Sequence, residues 1–278
     1  MVQSEAKTPR PVRSRVAGGT GLASEQWSAF GRPGHRWERS IERIEAAAEA
    51  RIVEAIDGAR DSGAPPAIDP AWVAFLVRNM PVAAFAFHQC GIVLRGAGER
   101  CRPPAVASGI RLQASMQLRQ AQAIVLYSAD MEERLGVMPI ESARHRWHSA
   151  EEWRPSHSFL RRTRQLEDWG EQLVAINLCF EPLVGQLLRG ELAMRLGERH
   201  GDLVSPVIAD AGQAESALSR EWTVAWVTFL LADAEHGEAN AELLHRWVAR
   251  HRAEAYDAAA GLARLADGLP RTSPPGSA

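Results

Sequence analysis

PAVASGIRLQASMQLRQAQAIVLYSADMEERL, residues 104–135, is the stretch on which the fold turns. The helix starts near Pro104, and Gly136 supplies a stop. A helix this long is well beyond the usual three turns. Long helices of similar length favour a bundle with antiparallel neighbours. Polar residues interrupt the apolar pattern: Gln113, Gln117, Gln120 and Gln122, with Arg119. Gln113, Gln117 and Gln120 share one face by their i, i+4, i+7 spacing. That face is either an amphipathic surface or a polar core of the kind that holds metal ligands in helical bundles.

The neighbouring segments repeat the helical signal. Ile41, Ile44, Ala48, Ile52 and Ile56 recur at three- and four-residue steps, and Gly58 with DSGAPPAIDP (61–70) closes that helix. A second helix opens at Pro70 and runs to about Leu94, with a kink expected at Pro81. Ser149 and Glu152 read as a capping box ahead of a further helix, and 157–180 reads as one long helix. Pro182 is expected to break or bend it before a continuation to about Leu196. Two more helices follow, from Pro206 to about Ala234 and from Ala239 to about Leu265. No alternating strand pattern or Asn-Gly hairpin signal occurs, and no solenoid period. The fold class is all-α.

Residues 1–35, rich in Pro, Arg, Gly and Ser, read as an extended N-terminal arm rather than a packed element. Trp27, Phe30 and Trp37 are poorly suited to water, so part of the arm should lie on this domain or on a partner. Residues 36–266 form the helical domain, and 267–278 are disordered by composition.

The chain has 278 residues, 46% of them apolar and 24% charged, with a formal net charge of −2. These are globular values, and the balanced charge excludes a broad nucleic-acid footprint. Cys90, Cys101 and Cys179 form no C-x-x-C and no disulfide framework, which fits a reducing cytoplasm. The first residues lack the apolar core of a secretory signal. The apolar run 222–232 is too short to span a bilayer, and 71–94 is broken by Arg78, Asn79, His88 and Gln89. A soluble chain without membrane contact is expected. Lys7 is the single lysine, so 31 of 32 basic residues are arginine, through GC-rich coding or through selection for bidentate pairs.

Complete catalytic motifs are missing. A diiron bundle needs two Glu-x-x-His motifs, because i, i+3 spacing aims carboxylate and imidazole along one helical face. Glu242-Leu-Leu-His245 is the single match. His145 and His148 form H-x-x-H beside Glu141, but PIESARHRWHSA (139–150) reads as a short surface loop, and a metal site needs three or four convergent ligands. Asp233, Glu235 and His236 sit at a helix end, where capping is the expected role. His88 follows an apolar run and reads as a hydrogen-bonded core histidine. Gly18-Gly19-Thr20-Gly21 lacks the Lys-Ser/Thr of a P-loop, and no serine or cysteine has a nucleophile setting. The expected catalytic, cofactor-binding and metal residues in this chain are therefore none.

RLQASMQLRQAQAIVLY (111–127) resembles the third-helix signature of the hydroxylase beta, or small, subunits of soluble diiron monooxygenases. These are the methane, alkene, propane, phenol and toluene monooxygenases. EDWGEQLVAINLCFEPLVGQLLRGELA (167–193) is similar to the same family at Asp168-Trp169, Asn177 and Phe180-Glu181-Pro182-Leu183, and so is DAEHGEANAELLHRWVARHRAEAYDAAAGL (233–262). The resemblance covers roughly residues 70–265, and motif order and spacing carry it. It implies a ferritin-like bundle homologous to the iron-bearing alpha subunit. Where an alpha subunit has Glu-x-Arg-His, this chain has Gln117-Leu118-Arg119-Gln120, and near the second alpha motif it offers Ala234 and Gly237. Neutral glutamine is a poor iron ligand. The resemblance therefore implies a non-catalytic subunit that buttresses alpha, which hydroxylates or epoxidises small hydrocarbons with O2 and NAD(P)H. The implied partners are alpha, a second alpha–beta pair, in some members a gamma subunit, and a coupling protein and reductase acting through the complex. With function placed in contact surfaces, the arginines and the nine tryptophans become expected interface anchors.

Overall fold

The computed structural model describes residues 19–31, 34–62, 68–135 and 140–269. Eight helices account for most of them: α1 (Gly34–Asp61), α2 (Pro70–Arg100), α3 (Pro104–Leu135), α4 (Ile140–Ser149), α5 (Arg154–Arg164), α6 (Trp169–Arg199), α7 (Val204–Leu231) and α8 (Gly237–Ala263). No strand occurs among the described residues. Residues 1–18, the loop 63–67 and 270–278 lie outside them; of the expected tail only 267–269 are described, and Arg264–Gly268 forms a closing 3₁₀ turn.

α2 and α3 form an antiparallel hairpin. Gly98 of α2 lies against Ala107 and Arg111, and Gly91 against Ala114 and Leu118, so missing side chains let the two backbones approach. α1 and α7 pack on the other side of α3, while α4 and α5 cover α2. α6 lies in the centre between α7 and α8. α2 and α6 are long and apolar enough to cross a membrane by composition, yet much of each is buried inside this bundle.

Several expected boundaries move. α1 runs past Gly58 and α2 continues through Pro81 to Arg100. Residues 140–149, read as a loop, are helical, because Ala143 and Trp147 four residues apart bury one face against Phe85 and Trp153. Ser149 ends that helix, its hydroxyl donating to the His145 carbonyl, so it is no N-cap. The long helix read over 157–180 is two helices. Asp168 accepts from the Gly170 and Glu171 amides and starts α6, while the Gln172 side chain donates to the final carbonyls of α5, Thr163 and Arg164. Pro182 does not break α6: Ala175–Gly185 and Leu187–Arg195 adopt the wider π-helical register. π-Bulges of this kind accompany disturbances of the ordinary helical hydrogen-bond ladder.

Of the two surfaces expected for part of the arm, this domain or a partner, the described part lies on this domain. Residues 19–31 are packed on the bundle as a strap. Gly19, at φ +78°, offers its carbonyl to the Trp169 amide, and the Gly21 amide donates to Asp168. Ala23 and the Asn240 side chain exchange two hydrogen bonds. The strap ends in a 3₁₀ turn, Trp27–Gly31, that sets Trp27 against Trp169 and Phe229 and edges buried Phe30 onto Trp222. The tryptophans with described side chains are likewise internal. Trp72, Trp147, Trp153, Trp169, Trp222, Trp226 and Trp247 are buried and Trp27 is half-buried, so they build this core rather than an external interface. Trp37's side chain lies outside the described set.

Candidate functional site: the polar interior of the bundle

The glutamine face of α3 points inward. Gln113, Gln117 and Gln120 are 1%, 8% and 7% exposed, which removes the amphipathic-surface reading, whereas Gln122 is exposed. Asn177 of α6 donates to Gln113 Oε1 at 2.7 Å and to Thr223 Oγ1 of α7 at 2.9 Å. One turn along, Gln117 Nε2 donates to Glu181 Oε1 at 2.7 Å. Glu181 is also paired with the buried Arg189 guanidinium and accepts from Ser216. Arg189 in turn lies over the Phe87 ring at 5.2 Å. Burial pushes the Glu181 carboxyl up, but the Arg189 charge and the hydrogen bonds from Arg189, Gln117 and Ser216 outweigh it and hold it below the usual carboxylate range. Gln120 reaches toward α7, where any Cβ at position 212 would collide with its amide oxygen, hence Gly212.

A second charged group ties three helices at the edge of this interior. Arg119 of α3 pairs with Glu45 of α1 at 2.5 Å and with Glu215 of α7 at 3.0 Å. Burial dominates at Glu215 and pushes its carboxyl up to about 7 despite Arg119.

The other candidate groups lie elsewhere. Glu242 and His245 are exposed on α8, and Glu242 pairs at 3.7 Å with Arg246. His145 is exposed and does not meet His148, whose Nδ1 lies 3.1 Å from Nε2 of His157. The Glu141 side chain is outside the described set. His88 is exposed, not a core histidine: the buried stripe of α2 follows Ala84, Phe87, Gly91 and Leu94, and His88 is one step off it. Asp233 accepts from the Glu235 and His236 amides in a capping turn. Among the described residues, Glu25, Glu235 and His236 make the one three-member cluster of metal-competent groups, on the surface.

Residues 5–234 match the Methane/Phenol/Alkene Hydroxylase family. The chain belongs to that family. It is 29% identical over 230 residues to the hydroxylase component small subunit of propane 2-monooxygenase from Gordonia sp. (strain TY-5), covering 82% of this chain and 62% of that protein. The corresponding subunit from Rhodococcus jostii (strain RHA1) is 28% identical over 246 residues, 87% of this chain and 66% of the relative. The chain thus spans about two thirds or less of the length of these relatives. A chain of toluene 4-monooxygenase, solved with toluene in its resting active site, superposes with a TM-score of 0.81 at 17% identity, over 90% of this chain and 81% of that one. A chain of the xenon-pressurised phenol hydroxylase from Pseudomonas sp. OX1 gives 0.76 at 16% identity, over 94% and 80%. These structures establish the fold, an all-α bundle of long helices.

Among the described residues, the interior along the glutamine face lacks the donor set that an iron pair needs. A diiron site needs several anionic carboxylates and imidazoles converging on one point. Here α3 contributes three neutral amides, and the Glu181 charge is already met by Arg189. Among the described interior groups, the buried His200 and His251 are engaged by Asp69 at 2.7 Å and Glu171 at 2.9 Å, away from the glutamine face. The sequence showed the glutamine face through its spacing. It concealed Arg189 and Glu215, which lie on other helices and meet α3 through tertiary packing alone.

Proposed function

We propose that this chain is the non-catalytic small (beta) subunit of a soluble diiron monooxygenase hydroxylase. The supporting observation is the Glu181–Arg189 pair with its Gln117 hydrogen bond. A buried arginine supplies the positive charge that a metal would otherwise bring, and the surrounding amides complete the network. The bundle then acts as a preformed support: its helices are held by internal polar ties and by the strap, leaving its outer faces for a partner.

The expected partner is an iron-bearing alpha subunit of the same fold, in an assembly of two alpha–beta pairs, with a gamma subunit in some members. A reductase and a coupling protein would deliver NAD(P)H electrons to the alpha iron, where O2 and a small hydrocarbon react. The diiron cofactor belongs to alpha, and this chain binds none. A cytoplasmic setting agrees with three free, buried cysteines whose thiols burial pushes up. The alternative of a stand-alone metal oxidase would rest on Glu242 and His245, which are exposed and among the described residues form no three-member cluster of metal-competent groups.

The test is co-expression with the neighbouring hydroxylase genes. Co-purification with a larger chain carrying two Glu-x-x-His motifs, together with iron in the complex and none in this chain alone, is the expected result. Stoichiometric iron in the isolated chain, lost on Glu242→Ala, would overturn the proposal.

A further inference from the structure

Beside the Glu181–Arg189 pair lies a cavity of about 140 Å³, bounded by α2, α3, α6 and α7. Its wall includes Gln113, Gln117, Asn177, Ser219 and Thr223, with Leu94 and Pro182 as apolar facets. Two of these side chains have an unsatisfied polar atom although each is more than nine-tenths buried: Gln113 Nε2 and Gln117 Oε1. Their orientation is fixed by the atoms that are satisfied. Gln113 must present its oxygen to the Asn177 amide donor, which leaves its NH2 group free. Gln117 must present its NH2 group to the Glu181 carboxylate, which leaves its oxygen free. Turning either amide over would oppose donor to donor or acceptor to acceptor. The wall therefore displays one buried donor and one buried acceptor without protein partners. Such groups are costly to leave empty-handed.

The charges narrow the chemistry. Glu181 is neutralised by Arg189, so no cation is required, and its carboxylate at the wall disfavours an anion; Arg220, the other charged residue of the lining, is exposed, where water screens its charge. A neutral hydroxyl group accepts from an amide N–H and donates to an amide oxygen, matching both free atoms. An apolar cavity of about 150 Å³ holds one benzene molecule, which sets the size scale. We propose that this cavity is a binding site for a small neutral hydroxyl-bearing molecule, no larger than a single six-membered ring, with its hydroxyl on Gln113 and Gln117 and its carbon skeleton against Leu94 and Pro182. The proposal is independent of the subunit assignment.

Titration of the full-length chain with 4-fluorophenol, followed by fluorine NMR, tests it, with fluorobenzene as the analogue lacking the hydroxyl. Saturable one-to-one binding is expected, with nuclear Overhauser contacts to the Leu94 methyls. Fluorobenzene should bind at least about tenfold more weakly, because it leaves both amide atoms unpaired. Gln113→Leu should abolish that preference, and Ser219→Met, which fills the cavity, should abolish binding. If either variant does not fold, the Leu94 contacts and the fluorobenzene comparison in the unaltered chain decide. No saturable binding would mean that the cavity holds water alone and would overturn the proposal. Equal affinity for fluorobenzene, or binding without Leu94 contacts, would overturn it too.

Discussion

Glu181 and Arg189 show how a buried pair differs from a surface one. The many exposed arginine pairs, such as Arg162–Glu254 and Arg51–Asp210, are worth little each, since water and mobility dilute them. Glu181 and Arg189 are both inside, so the Glu181 carboxylate depends on the Arg189 charge to remain ionised. Arg189→Met should cost about 4 kcal/mol, because it leaves a carboxylate buried without its counter-charge. Adding Glu181→Met should recover more than half of that loss. Urea midpoints of the single and double variants measure both, and a double variant as unstable as Arg189→Met alone would show that the pairing is not the source of the loss. At this scale the sequence was partly legible. The spacing of Gln113, Gln117 and Gln120 placed three amides on one face, and burial then selected the core reading. Nothing in a single-helix pattern could show that Asn177, Glu181 and Thr223 would meet them, because those contacts span α3, α6 and α7. His88 misled for the same reason: an apolar neighbourhood along the chain does not say which side of the helix a residue occupies.

At the scale of elements, long periodic helices were readable and their ends were not. Two capping signals competed in the middle of the chain. Ser149 with Glu152 resembles a helix start but occupies a helix end, while Asp168-Trp169-Gly170-Glu171 has the same three-residue step from a capping residue to a Glu and does start α6. The local motif is identical in kind; tertiary contacts decide between them, since Asp168 also receives the Gly21 amide of the strap. The strap was half legible: Trp27 and Phe30 signalled that it must lie on something, while its Gly- and Ser-rich composition, which looks like a linker, did not show the close passage over Trp169. Its aromatic anchors make it part of the core. Phe30→Ala should destabilise the chain by about 3 kcal/mol, through lost burial and the cavity left against Trp222. Removing residues 19–31 should cost at least as much. A thermal midpoint unchanged by that deletion would show that residues 19–31 contribute nothing to the fold.

Across the whole molecule, buried carboxylates give stability two opposing pH dependences. Glu181 and Glu171 are held below their ordinary values; in each, burial is outweighed, at Glu181 by Arg189, Gln117 and Ser216 and at Glu171 by His251 and Arg250. The stability they supply is present above the unfolded value of 4.5 and is lost as pH falls through their lower folded values. Glu215 has the opposite sign. Burial pushes it up to about 7, so between 4.5 and about 7 the folded chain holds a proton that the unfolded chain has released. Stability must therefore decline as pH rises across that window, by on the order of 3 kcal/mol for a shift of this size. Glu215→Gln keeps an acceptor for Arg119 and removes the titration. The variant should match the parent at pH 5 and exceed it at pH 8, and the histidines, common to both chains, cancel in the difference. Chemical denaturation of both chains at the two pH values measures this. Parallel pH profiles would mean that Arg119, shared with Glu45, already keeps Glu215 ionised in the folded chain, and that the tie among α1, α3 and α7 is a fully charged one.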